Sequence, residues 1–344
     1  MPYPTDLLPT VFDRIVPPVC ITLGSPRPVA RLVAALGGVE TVCWQLDLHQ
    51  AARLRDELRD LNATAEVVST PDLWDLERKF RTVLFPAAAH AERDLKLDVV
   101  EQAFHILLEG GRLLTLSEYE KDSAFAGWHK KVFGKCGESP TDPAGTAFWS
   151  TRTGDRPRRR HEVTFRAKIP DGPSATFVSR PGVFGYGRMD NGARALLEVA
   201  DVQPGERILD MGCGIGTVGV LAGVRSGCPV TFVDSNVRAV TLAEQNAKAN
   251  GLADAVVIAA ASFEGIPPAS FDCILANPPY YANSEIARHF VAAGKTLLKP
   301  DGRFVLVTKV PQDVVPGLLN TFGDCGTTEA RGYTVVVARI RSTG

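Results

Sequence analysis

No Cys-x-x-Cys pair marks the seven cysteines, which stand apart at positions 20, 43, 136, 213, 228, 273 and 325. A disulfide framework or a zinc ribbon needs patterned spacing, so reduced thiols in a cytoplasm and no metal are expected. Neither charge sign dominates: 38 basic against 39 acidic side chains leave a formal net charge of −1. That excludes histone-like binding by bulk charge and leaves room for a local basic patch. No apolar stretch approaches the roughly 20 residues that span a bilayer. The opening twenty residues lack a basic leader before an apolar core and are broken by prolines, so no membrane partner and no signal peptide are expected. What is present is a globular balance, 45% hydrophobic and 22% charged. At 344 residues the chain is long for one core, and two domains are expected. The sequence sets no oligomeric state.

Short β-branched runs alternate with helical patterns, the signature of βα units on a largely parallel sheet and hence of an α/β fold. In the C-terminal half the pattern predicts strands at Arg207 to Met211, Val230 to Asp234, Phe271 to Ala276, Arg303 to Thr308 and Thr334 to Ile340, with helices between them. The N-terminal half repeats the plan with strands at Val19 to Leu23 and Val39 to Leu46 and helices at Val29 to Leu36 and His49 to Leu61. Gly24 to Asp47 spans about the separation of Gly212 to Asp234, and the run Leu107 to Arg112 echoes Leu297 to Arg303. Internal duplication follows. The copies differ where chemistry would sit: Gly24 to Pro28 is studded with proline where the second copy has a glycine-rich loop, and Leu84-Phe85-Pro86 stands where it has Asn277 to Tyr280. Prolines lack the amide donors that cradle an anionic ligand, so the first copy is not expected to bind cofactor. The expected division is a degenerate domain at 1–145, a Gly/Pro/Arg-rich linker at 146–175 and a catalytic domain at 176–344. The linker holds an arginine cluster from Arg152 to His161, able to neutralise phosphates or simply to face solvent. Lys130, Lys131 and Lys135 are open to the same two readings.

The strongest motif is Ile208-Leu209-Asp210-Met211-Gly212-Cys213-Gly214-Ile215-Gly216, an apolar strand ending in an acid and running through alternating glycines into a helix. Glycines let the backbone approach a ligand and adopt dihedrals closed to other residues, while a helix N-terminus offers amides. The spacing Gly214-x-Gly216-x-x-Gly219 also satisfies a dinucleotide pattern. Asp210 separates the two readings: at the end of its strand it can accept a hydrogen bond from an ammonium group, which favours a cofactor with an amino-acid moiety. Asp234 closes the next strand, with Ser235 beside it, and can accept from ribose hydroxyls or cap the following helix. Asn277-Pro278-Pro279-Tyr280 ends a further apolar strand. An asparagine oxygen and a neighbouring carbonyl held by prolines can accept hydrogen bonds from an exocyclic NH2, and the tyrosine ring can stack on a planar substrate.

Asp-x-Gly-x-Gly-x-Gly at 210–216, the acid at 234 and Asn-Pro-Pro-Tyr at 277–280 resemble the class I S-adenosylmethionine-dependent methyltransferases that modify amino groups. More narrowly, the order is similar to the ribosomal RNA small-subunit methyltransferase C and large-subunit methyltransferase G group. The resemblance implies two tandem Rossmann-like methyltransferase domains, the N-terminal one degenerate, S-adenosyl-L-methionine as cofactor, and guanine N2 in ribosomal RNA as acceptor. It implies cofactor contacts at Asp190, Asp210, Gly212, Cys213, Gly214, Gly216, Asp234, Ser235, Ser262 and Asn277, and a catalytic set of Asn277, Pro278, Pro279 and Tyr280. Pro181-Gly182-Val183-Phe184 and Asp190-x-Gly192 match the family's stretch before the cofactor strand; Gly185 and Ala261-Ser262-Phe263 depart from it, as does Tyr281-Ala282-Asn283 after the tetrapeptide. The acceptor stays open among guanine N2 (16S ahead of 23S RNA), adenine N6 and a protein glutamine amide. Free RNA and an assembled ribosomal subunit are both admissible partners. A non-catalytic RNA-binding factor and a nicotinamide dehydrogenase are the readings outside this class.

Overall fold

A computed structural model of the chain describes residues 4–169, 172–278 and 284–341, which divide into two compact units, Met1–His161 and Glu162–Gly344. In the first, a short helix α1 (Pro4–Leu7) precedes β1 (Val19–Thr22), α2 (Pro26–Ala35), β2 (Thr41–Trp44), α3 (Leu48–Asp60), β3 (Glu66–Val68), β4 (Phe80–Ala87), α4 (Arg93–Ile106), β5 (Leu107–Ser117), α5 (Ser123–Phe133), β6 (Gly137–Glu138) and β7 (Thr146–Thr151). The second opens with a hairpin, β8 (Val163–Lys168) and β9 (Ser174–Ser179), and α6 (Asn191–Val199). It continues through β10 (Ile208–Met211), α7 (Thr217–Ser226), β11 (Val230–Asp234), α8 (Val237–Ala249), β12 (Val256–Ala259), β13 (Phe271–Ala276), α9 (Ser284–Leu297), β14 (Leu298–Thr308), α10 (Pro311–Phe322), β15 (Gly323–Ala330) and β16 (Tyr333–Ile340).

The two seven-stranded sheets have one topology: β3-β2-β1-β4-β5-β7-β6 in the first and β12-β11-β10-β13-β14-β16-β15 in the second. Only the last two strands of each run antiparallel to their neighbours. Successive residues on a strand face opposite sides, so β13 sends Cys273 and Leu275 into one core and Ile274 and Ala276 into another. Helices cover both faces. The strand order reverses between β1 and β4, and between β10 and β13, which places a crevice at the carboxyl ends of these strands.

Register aligns the copies residue by residue. Val19 pairs with Thr41 as Ile208 pairs with Val230, and Ile21 with Leu84 as Asp210 with Leu275. Ile21, Gln45 and Pro86 thus occupy the places of Asp210, Asp234 and Asn277. The counterpart of Asp234 is Gln45 and not Asp47: Asp47 caps α3, accepting from the Gln50 amide at 2.8 Å, and corresponds to Asn236, the N-cap of α8.

The expected 146–175 linker is not one irregular segment but holds strands at both ends around an irregular stretch at 152–162. Thr146–Thr151 pairs antiparallel with β5 inside the first sheet, with Ala147 and Phe148 buried, and Val163–Lys168 and Ser174–Ser179 form the β8–β9 hairpin. Short strands edged by Gly, Pro and Ser give too little periodicity to stand out. Asn246 and Asn250 of α8 dock the hairpin. Asn246 accepts from the Val178 amide at 2.8 Å and donates to its carbonyl at 3.0 Å, and Asn250 does the same with Thr176 at 3.1 and 2.8 Å. Two side-chain amides one helical turn apart thereby satisfy a strand edge.

Candidate active site

The cleft lies at the carboxyl ends of β10 and β13 and opens to solvent between the loop after β10, the turn from Phe184 to Asp190, and Asn277. Its floor is the loop from Gly212 to Gly216. Gly212, Gly214 and Gly216 have φ of +70°, +54° and +83°, and Gly216 in this conformation is the N-cap of α7. A residue with a Cβ is strained there. Gly219, one turn into α7, is required by close approach instead, since a Cβ would stand 2.4 Å from Phe232 and 2.9 Å from the Asp210 carboxylate.

Two acids brace this loop. Asp210 is buried on the face of β10 that underlies α7, and its Oδ2 accepts from the Gly219 amide at 2.7 Å. Burial pushes its carboxyl up to about 7, the Gly219 hydrogen bond pulling down and the Asp234 charge adding to the rise. Asp234 accepts from the Gly214 amide through Oδ2 and from the Asn236 amide through Oδ1, both at 2.8 Å. The helix cap is Asn236, which accepts from Arg238 and Ala239, so the capping reading of Asp234 falls. Cys213 lines the cleft with its thiol pushed well up by burial and by Asp234 and Asp210, so it is an uncharged wall.

At the opposite rim, Asp190 caps α6 by accepting from Gly192 and Ala193 at 2.9 and 3.2 Å. The same Oδ2 accepts from Asn277 Nδ2 at 3.2 Å. The Asn277 amide is thereby oriented, nitrogen toward Asp190 and oxygen away from that bond.

Of the expected site residues, Asp190, Asp210, Gly212, Cys213, Gly214 and Asn277 line the cleft. Gly216 sits behind it as the helix cap, Asp234 reaches it through Gly214, Ser235 begins the turn into α8, and Pro278 follows Asn277. Ser262 is not among the lining residues; its hydroxyl accepts from Glu264 at 3.4 Å in the turn after β12. Pro279 and Tyr280 lie outside the described residues. Phe184, whose stretch the resemblance sets against the cofactor's methionine end, lines the cleft, as do Arg188, Thr217 and Val218, which sequence reasoning missed. Phe184 and Arg188 flank the turn through Gly185 and Gly187, a signal that could have marked this rim. Among the described residues no group of acids, histidines and cysteines could hold a metal, and no helix is long and apolar enough to cross a membrane.

A doubly wound sheet repeated in tandem, one copy with a glycine loop braced by two acids at its switch point, defines the class: a class I methyltransferase fold. Residues 174–337 match the family described as the methyltransferase small domain. The particular likeness is to ribosomal RNA small subunit methyltransferase C. The protein of that name from Chromohalobacter salexigens is 36% identical over 157 residues, 43% of this chain and 46% of that protein. The one from Pseudomonas entomophila is 32% identical over 181 residues, 50% of this chain and 52% of that protein. The chain therefore spans about half the length of the curated relatives it matches. In fold the likeness runs through both units: the 16S rRNA N2 methyltransferase of T. thermophilus, solved with AdoMet and guanosine, aligns with a TM-score of 0.75 over 96% of this chain and 91% of that chain at 23% identity. The two-domain fold expected from the sequence is the one found.

Proposed function

We propose that this chain is an S-adenosylmethionine-dependent methyltransferase whose acceptor is the exocyclic N2 of a guanine in small-subunit ribosomal RNA. The observation that carries the reading is the Asn277 amide, fixed by Asp190 at the rim of a cleft with a glycine floor. The residues present fit the cofactor: Gly212 and Gly214 leave the floor without side chains, buried Asp210 faces the space where an ammonium would sit, and Asp234, a carboxylate at the end of β11, holds the loop beside the place a ribose would take. The bound cofactor supplies an electrophilic methyl group on sulfonium.

The chain's own residues supply position. Guanine N2 is a poor nucleophile because its lone pair is delocalised into the ring. Asn277 Oδ1 and the Pro278 carbonyl accept hydrogen bonds from its two N–H groups, favour a pyramidal nitrogen and aim the lone pair along the line of displacement; the N–C bond forms as the S–C bond breaks, and the nitrogen then releases one proton to water. Because Asp190 already fixes the amide, this orientation is prepaid, and catalysis is positioning with electrostatic preorganisation. The N-terminal unit, with Ile21, Gln45 and Pro86 at the corresponding places, contributes scaffold or substrate contact.

The test is transfer of labelled methyl to isolated 16S RNA, 23S RNA and assembled small subunits by wild type and Asn277→Ala. The expected result is N2-methylguanosine in small-subunit RNA, with kcat lower by roughly 10²–10³-fold in the variant and cofactor affinity little changed. Label on adenine N6 or on protein would replace the acceptor; an active Asn277→Ala would remove Asn277 from the mechanism.

A further inference from the structure

The run from Arg152 to His161 has neither helix nor strand, yet it is fastened along the surface of the N-terminal unit. Arg152 donates to the Leu107 carbonyl and lies over the Phe104 ring, 5.3 Å from its centroid. Arg156 shares that ring at 5.6 Å and donates to the Val132 carbonyl at 2.8 Å. Arg160 bonds Asp72 at 3.1 Å, and His161 stands 3.1 Å from Glu101. Arg158 is laid over Trp74 at 5.3 Å. Within the run, Arg152, Arg156, Arg158, Arg159 and Arg160 accompany one acid, Asp155, and the unit beneath adds Asp72 at Arg160, Glu101 at His161 and Glu109 at the Gly154 amide. Lys79 adds a further cation, donating to the His105 carbonyl. Lys130, Lys131 and Lys135 are exposed around the Val132 carbonyl that Arg156 holds.

Such crowding of one charge is unfavourable in the free protein. His105 is lowered to about 4 by burial and by Arg158, Arg156, Lys79 and Arg152, and Lys79 is lowered by burial and then by Arg152 and Arg158. A chain of net charge −1 concentrates cations here and orients them on aromatic platforms.

We propose that Lys79, Arg158 and Arg159, held in place by the fastening arginines 152, 156 and 160, form a phosphate-binding surface for the RNA backbone of the substrate; the identification of the partner rests on the reading above. Trp74 and Phe104 are buried, so the surface offers N–H donors and no exposed ring for stacking. It therefore contacts phosphates irrespective of sequence, leaving base choice to the cleft. A bilayer is the weaker partner because no apolar wedge accompanies the charge.

The test uses the full chain without cofactor, binding a small-subunit RNA fragment and a scrambled fragment of equal length between 50 and 300 mM KCl. Arg158→Ala with Arg159→Ala is expected to weaken both RNAs equally, by about 5–30-fold near 100 mM salt, and to reduce the slope of log K against log salt by about 1.5, two phosphate contacts' worth. The Lys pair at the same positions should retain most of the affinity. Melting temperature and cofactor affinity should not move; if the double variant melts early, Arg159→Glu alone replaces it. Unchanged affinity and slope overturn the surface while leaving methyl transfer, read in the Asn277 experiment, untouched. Loss for one sequence only, or equal capture by phosphatidylglycerol vesicles, overturns the sequence-independent RNA assignment. A wild-type chain that binds cofactor but no RNA removes the partner reading itself.

Discussion

Burial of Asp210 sets folding against binding at a single carboxylate. Its folded pKa of about 7 lies far above the usual carboxylate value, so between pH 4 and 7 the native state keeps a proton that the unfolded chain releases. Stability from this group is therefore present at low pH and lost as pH rises toward 7. An incoming ammonium needs the ionised form, so cofactor affinity should rise as pH goes from 6 to 8. Asp210→Asn keeps an oxygen for the Gly219 amide and removes the buried charge. It is expected to stabilise the cofactor-free protein at pH 8 by roughly 2–4 kcal/mol, to weaken cofactor binding, and to flatten its pH dependence, measured by calorimetry. An affinity unchanged from wild type would sink the ammonium assignment. Asp210 and Asp234 were legible because each ends an apolar strand. The Asp190–Asn277 bond was not, because it joins residues 87 apart in sequence that only the completed sheet brings together.

Elements were legible where periodicity is strong. Val230–Asp234 and Phe271–Ala276 are strands over the expected residues, and the ends elsewhere differ by a few positions. The echo between Leu107 to Arg112 and Leu297 to Arg303 has a structural cause: each spans the register shift where the fifth strand joins the fourth, Phe80/Thr82 in one sheet and Phe271/Cys273 in the other. The β8–β9 hairpin escaped notice because its docking depends on two asparagines in a distant helix. Asn246 does most: besides Val178 it donates to the Ile215 carbonyl at 2.9 Å, tying hairpin and glycine loop to α8 from a buried position. Asn246→Ala strands three backbone groups and is expected to cost about 3 kcal/mol, lowering the melting temperature by roughly 6–12 °C and loosening cofactor binding. Asn250→Ala, at a half-exposed site, should cost under about 1 kcal/mol. Equal effects of the two in thermal melts would count against the docking role of Asn246.

At the scale of the whole molecule, duplication has left two units of one topology whose buried titratable groups are shifted in opposite senses. In the first unit His129 is buried, its Nε2 2.9 Å from Thr115 Oγ1 and its Nδ1 2.9 Å from Ser150 Oγ, and burial lowers its pKa to about 3. Between pH 3 and 6.5 the unfolded chain takes up a proton that the native ring refuses, so this unit gains stability as pH rises, by at most about 1.4 kcal/mol per pH unit from this group. His105, lowered to about 4, adds in the same direction. In the second unit Asp210 acts oppositely over most of that window. Calorimetry of the cofactor-free chain from pH 5 to 7 is therefore expected to show two transitions whose separation changes steadily. His129→Gln should stop most of the movement of one and Asp210→Asn that of the other. Transitions that shift together, or variants that leave both movements intact, would mean that neither buried group governs its unit, and that pH acts on the two copies through charges common to both surfaces.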